Sequence, residues 1–125
     1  MKPVNFVIFG EPASKANSRQ IVMIKKRPAV IKSKKAREYV KVFSAQCMVL
    51  PEDEIFKNDV YVKIKIFYAS RRPDLDASVV LDCMQGRIYV NDRQVKEMHL
   101  FHDIDREHPR AEIEVGEIIV QKNNN

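Results

Sequence analysis

Residues 59–68, DVYVKIKIFY, alternate without a break: Val60, Val62, Ile64, Ile66 and Tyr68 fall on one side, Lys63 and Lys65 on the other. A period of two over this length predicts a strand with one buried face. Residues 4–9, VNFVIF, read as an earlier strand, and GEPASKANSR after them reads as a loop marked by Gly, Pro, Ser and Asn. QIVMI and PAVIK are short β-prone runs separated by KKR, the pattern of a hairpin. Ser33 is placed to cap a helix. Behind it, Ala36, Tyr39, Val40, Phe43, Cys47 and Leu50 recur at three- and four-residue steps, with Pro51 and the acidic EDE closing the helix. ASVVLDCMQ has the length of about two helical turns before Gly86. RIYV reads as a strand, NDRQ as a turn or strand end, VKEMHLFHD as a strand, REHP as a turn, and AEIEV as the last strand, which EIIV is expected to extend. The order implies an α+β domain: a mixed β-sheet with two helices packed on it. One domain over 1–120 and a disordered tail over 121–125 are expected.

Composition narrows the class. No apolar run approaches the roughly 18 residues of a membrane span, and Glu11-Pro12 interrupts the first apolar run too early for a secretory signal. A cytoplasmic protein is expected. Cys47 and Cys83 lie in apolar company and read as buried free thiols. Charge divides the chain: residues 1–72 carry 16 Lys/Arg against 6 Asp/Glu, whereas residues 73–125 carry 6 against 11. The stretch from Lys15 to Lys41 contains a single acid, Glu38, and has the character of a polyanion footprint.

The candidate chemistry lies in RRPDLDASVVLD. Pro73 biases Arg72 toward extended backbone. If that conformation continues, Asp74 and Asp76 project from one face about 7 Å apart at Cα, with Leu75 turned to the core. Two aligned carboxylates suit a hard cation such as Mg²⁺. Asp92, in YVNDRQ, is the candidate third donor, on the expectation that RIYV pairs as a strand beside the first two. Such a cluster is what metal-assisted phosphodiester cleavage needs, with Arg71, Arg72 and Arg93 placed to hold phosphates. Asp76 equally fits a helix cap, Asp74 a turn, and Asp82 an exposed helix position. His99 and His102 face opposite sides of a strand and make a poor metal pair.

RPDLD, a short helix ending LDCMQG, and IYVNDRQV together resemble the RusA family of Holliday-junction resolvases, whose pattern is R-x-D-L-D-N, a helix, then D-D-x-Q. FGEPASKANSR and KSKKAREY resemble that family's first strand, basic loop and helix start. The resemblance implies a RusA-like homodimer that nicks four-way DNA with Mg²⁺, or with Mn²⁺ as substitute. It assigns the catalytic, metal-binding positions to Asp74, Asp76 and Asp92, puts Asn91 where the family often has a further Asp, and matches Gln94 to the motif's glutamine. Two positions depart from the pattern. Ala77 stands where the family has Asn, and no lysine occurs between Asp76 and Asp92 where the family carries a catalytic one. Lys15, Arg71, Arg72 or a second subunit are the candidates for that positive charge.

With a nuclease in view, Lys15, Arg19, Lys25, Lys26, Arg27, Lys32, Lys34 and Lys35 are expected to follow DNA phosphates, with Ser14 and Asn17 adding hydrogen bonds. A four-way junction is two-fold symmetric, so a symmetric dimer would supply two equivalent sites for paired nicks. Two alternatives stand beside this reading. One is a non-catalytic binder of branched DNA or structured RNA. The other is an interaction protein whose aspartates are only caps and turns.

Overall fold

The computed structural model describes residues 2–13 and 19–119, with the side chain of Arg19 left out. Lys15, Ser14, Asn17 and the expected tail over 121–125 therefore lie outside the described residues. The elements run β1 (Val4–Phe9), β2 (Arg19–Ile24), β3 (Arg27–Lys32), α1 (Lys34–Gln46), β4 (Val60–Tyr68), α2 (Ser78–Met84), a 3-10 turn (Asp92–Gln94), β5 (Val95–Ile104) and β6 (Arg110–Glu117).

Four strands form one mixed sheet in the order β1-β6-β4-β5. β6 pairs antiparallel with both β1 and β4, and β4 pairs parallel with β5. Parallel neighbours need a crossover, and α2 supplies it. The alternation in β4 is realised as read: Val60, Val62, Ile64, Ile66 and Tyr68 are fully buried. They join Ile8 of β1, Ala111, Ile113 and Val115 of β6, Tyr39 and Phe43 of α1, and Val79, Val80 and Met84 of α2 in one core. Lys63 and Lys65 are exposed on the opposite side. β2 and β3 form a hairpin of their own, outside the main sheet.

Four sequence expectations need correction. β6 ends at Glu117, so Ile118 and Ile119 do not extend it. RIYV is not a strand. It forms a turn in which Tyr89 makes only isolated bridges to Phe56 and Gln85. Its apolar side chains, Ile88 and Tyr89, are buried as plugs under the crossover rather than paired along an edge. The first helix ends at Gln46, well short of Pro51. Cys47 turns extended there, and Leu50 N–H donates instead to Arg87 O, tying this exit to the turn after α2. Cys83 is half-buried rather than buried; even so, burial pushes its thiol up to about 11. The cap of α1 is as expected, with Ser33 Oγ accepting from Ala36 N–H.

Candidate active site

β4 ends at Tyr68, and the segment from there to α2 has no regular hydrogen bonding. Its shape is fixed by the buried Tyr68 phenol. That hydroxyl donates to Asp74 O at 3.1 Å and accepts from Asp76 N–H at 3.3 Å. Leu75, between them, packs against the core, which leaves Asp74 exposed and Asp76 half-buried. One Asp76 oxygen accepts from Ser78 N–H at 3.0 Å and the other from Ser78 Oγ at 3.2 Å. The N-cap of α2 is Ala77 rather than Asp76; from one residue earlier Asp76 still satisfies the first N–H of the helix while keeping acceptor capacity for another partner.

Other elements converge on this end of β4. Glu11, just past β1, accepts from Ala69 N–H at 2.8 Å, and its other oxygen lies 3.7 Å from Lys35 Nζ on the first turn of α1. His102 of β5 stacks on Tyr68 with ring centroids 4.7 Å apart. Its Nε2 sits 3.1 Å from Pro73 O, a bond that requires the Nε2-protonated form. Burial raises the Tyr68 phenol above its ordinary range, and the charges of Asp76, Glu11 and Asp74 push the same way. Glu11, Asp74 and Asp76 thus lie at the same end of β4 as this hydroxyl.

Asp92 stands elsewhere. It opens the 3-10 turn before β5, and β5 begins where β4 begins, with Val95 opposite Val60, whereas Tyr68 pairs with Ile104 at the far end. A nine-residue strand is on the order of 25 Å long, so the Asp74–Asp76 pair and Asp92 occupy opposite ends of the crossover. The strand expected to carry Asp92 alongside the pair does not form. Among the described residues, no group of three or more His, Cys, Asp or Glu stands close enough to hold a metal ion. Asp74 and Asp76 offer hard oxygen donors of the type Mg²⁺ takes, but one chain does not bring Asp92 to them.

The Asp92 end is held by its neighbours. Asn91 Oδ1 accepts from Arg93 N–H, and Gln94 Oε1 accepts from Val90 and Asn91 N–H, a closed capping box. Gln94 Nε2 then donates to Phe56 O at 2.9 Å and Asn58 O at 2.8 Å. The glutamine of the D-x-Q motif is therefore a clamp between the start of β4 and the start of β5. Asp92 itself is exposed, its N–H held by Gln85 Oε1.

The predicted cations are distributed as follows. Arg71 and Arg72 are exposed beside the acid pair, and Arg93 is exposed at the Asp92 end. Lys25, Lys26, Arg27 and Lys34 are exposed on the hairpin and at the start of α1. Lys25 and Lys26 both take positive φ, 49° and 64°. Two-residue hairpin turns of this kind favour Asn-Gly, and each lysine accepts a conformation costing roughly 1–2 kcal/mol.

Sequence reading missed Glu11, Tyr68 and His102 as neighbours of the acid pair and counted Lys35 only as one cation in a run. Glu11 left one signal: it is the lone acid before Glu38 in a basic segment. The positions of Tyr68 and His102 follow from the parallel register of β4 and β5, which sequence does not display.

The family model for endodeoxyribonuclease RusA matches residues 10–116. The chain belongs to the RusA family. The match starts at Gly10 and takes in Glu11, the hairpin, both helices, the acid pair, Asp92 and all of β6 but its last residue. A comparison with curated proteins returns no match. RusA membership makes the end of β4 a candidate phosphodiester-cleaving centre. It also makes the basic segment a candidate DNA surface. No helix among the described residues is long and apolar enough to cross a membrane.

Proposed function

We propose that this RusA-family chain is a Mg²⁺-dependent endodeoxyribonuclease that resolves four-way DNA junctions by paired symmetric nicks, in recombination, repair or phage DNA processing in the cytoplasm. The observation that carries the reading is the Asp74–Asp76 pair, held by Tyr68 at an open end of the sheet in a chain matched to an endodeoxyribonuclease family. Mg²⁺, for which Mn²⁺ would substitute, would supply a more acidic water and offset charge on the phosphoryl group when bound. Asp74 and Asp76 are the donors this chain presents together, and Asp92 is proposed as a further acidic position essential to nicking.

The chain's own residues do the rest. Ser78 orients the Asp76 carboxylate. Arg71 and Arg72, exposed beside it, hold phosphate oxygens. The basic face from the hairpin to α1 follows the backbone, so affinity falls steeply with salt. A homodimer fits the two-fold symmetry of the substrate and supplies two nicking sites.

The test is nicking of a synthetic four-way junction, with linear duplex of the same sequence beside it. Asp76→Asn is expected to abolish Mg²⁺-dependent nicking, a loss on the order of a thousandfold, while junction binding persists. Nicking by that variant at the parental rate removes the proposed chemistry. The departure at α2, which carries no basic residue, favours one second reading, a non-catalytic binder of branched DNA. Tight, salt-sensitive binding by the parent without nicking in any divalent ion would establish it.

A further inference from the structure

The β2–β3 hairpin has two unlike faces. One carries Gln20, Val22, Ala29 and Ile31, all partly covered, and is tied to α1 through Gln20 Oε1, which accepts from Lys34 N–H at 3.2 Å. The other presents Ile21, Met23, Pro28 and Val30, which register opposite one another as Ile21–Val30 and Met23–Pro28. Ile21 is 74% exposed, Met23 67% and Val30 67%. An isolated two-stranded ribbon that turns an apolar stripe outward needs a partner for that stripe.

Charge identifies the partner. No acidic residue occurs between Arg19 and Arg37, and the stripe ends at the exposed cations Lys25, Lys26 and Arg27. Lys25 and Lys26 hold left-handed backbone conformations that ordinary side chains avoid, and backbone strain of this kind collects where a surface is used. A second copy of the hairpin is a poor occupant, because packing two such stripes together would set the cationic tip of each against the other's tip or, antiparallel, against Lys32 and Lys34 at its base. A polyanion with apolar surface to offer fits both features. Duplex DNA offers phosphates along its length but hides its base faces. At a branch point the stack is interrupted, and apolar side chains can wedge against opened bases.

We infer that the hairpin is the element that distinguishes branched from linear DNA: Lys25 and Lys26 anchor phosphates, and Ile21, Met23 and Val30 pack against bases unstacked at the branch. The inference rests on the proposed branched-DNA substrate and adds the surface that selects it.

The experiment measures binding in EDTA, so that nothing is cut, to a four-way junction with 2-aminopurine beside the branch and to a linear duplex of the same sequence. The parent should brighten the 2-aminopurine and prefer the junction. The exposed triple variant Ile21→Ser, Met23→Ser, Val30→Ser should keep the parental Tm, lose about tenfold in junction affinity and leave the fluorescence low, with duplex affinity unchanged. Lys25→Gln with Lys26→Gln should instead weaken both substrates and reduce the salt slope by about two phosphate contacts. Parental junction affinity and fluorescence in the serine variant would overturn the inference. So would dissociation of a dimer, or lost binding to phosphatidylserine vesicles with junction binding intact. The nuclease reading is judged separately, by nicking in Mg²⁺. A parent that brightens the branch probe without nicking leaves the hairpin inference standing and removes the nuclease. A serine variant that matches the parent in binding while the parent nicks does the reverse.

Discussion

The two ends of the β4–α2–β5 crossover are both acidic, and they use their polar groups in opposite ways. At the Tyr68 end, a buried phenol takes up the backbone groups of Asp74 and Asp76, which leaves the Asp74 carboxylate exposed while that of Asp76 accepts from Ser78. Glu11, Lys35 and His102 arrive there from three other elements. At the Asp92 end, side chains do the backbone's work. Gln94 alone satisfies four main-chain groups, and Asn91 and Gln85 take two more. A motif residue can thus hold the scaffold while its neighbour two positions earlier keeps a free carboxylate. The motif spelling does not separate the two roles, but the hydrogen bonds do.

The sharpest way to test this difference is to change the two residues of D-x-Q separately. Gln94→Ala strands carbonyls and N–H groups that join β4 to β5, and should cost about 3 kcal/mol, read as a Tm lower by roughly 10 °C. Asp92→Asn removes charge from a side chain that no described residue holds. Its Tm should equal the parent's, while nicking falls on the order of a hundredfold or more if Asp92 is essential to the chemistry. Equal Tm losses in the two variants would erase the distinction between clamp and acid.

A second variant probes the other end. Tyr68→Phe keeps the ring packed in the core and deletes the hydroxyl that fixes both Asp74 and Asp76. The expected loss of stability is about 1–2 kcal/mol by denaturant melting. Nicking should fall about tenfold beyond what the unfolded fraction explains, because a loosened acid pair is a worse catalyst than a fixed one. A stability loss with full activity in the folded fraction would mean that the phenol shapes the loop without positioning the carboxylates.

Sequence reading reached most of the architecture because the patterns were local. The alternation from Val60 to Tyr68, the Ser33 cap and the KKR turn each depend on neighbours within a few residues. It erred at RIYV, where an apolar run of strand length is buried as a plug; burial alone does not fix backbone conformation. It also placed Asp92 beside Asp74 and Asp76, because motif order carries no direction. In a parallel crossover, the residues leaving one strand and those entering the next lie at opposite ends, and the pairing of Val60 with Val95 decides this. The run of cations carries no ranking of its members for a related reason. Lys35 was one of many in a run, and only the position of Glu11 singles it out.

Lys35 gives the smallest effect and the finest test of how the Tyr68 end is assembled. Its pair with Glu11 spans 3.7 Å and is half open to water, with Lys35 49% exposed, so Lys35→Met should change stability by less than about 0.5 kcal/mol. No basic residue lies on α2, and the one in the following turn, Arg87, is engaged with Cys47 O. A cation near the acid pair therefore comes from Arg71 and Arg72 in the same loop or from another element, and Lys35 is the one that Glu11 holds at this end. If Lys35 meets a phosphate during nicking, Lys35→Met should slow the step about tenfold, with junction affinity nearly unchanged, and Lys35→Arg should restore part of the rate. Glu11→Gln separates the alternatives, because the amide oxygen still accepts from Ala69 N–H while the charge beside Lys35 is gone. A lysine that acts only by bracing Glu11 makes Glu11→Gln and Lys35→Met equally slow. A lysine that acts on the phosphate leaves Glu11→Gln close to the parent, since losing its carboxylate partner frees the ammonium rather than removing it.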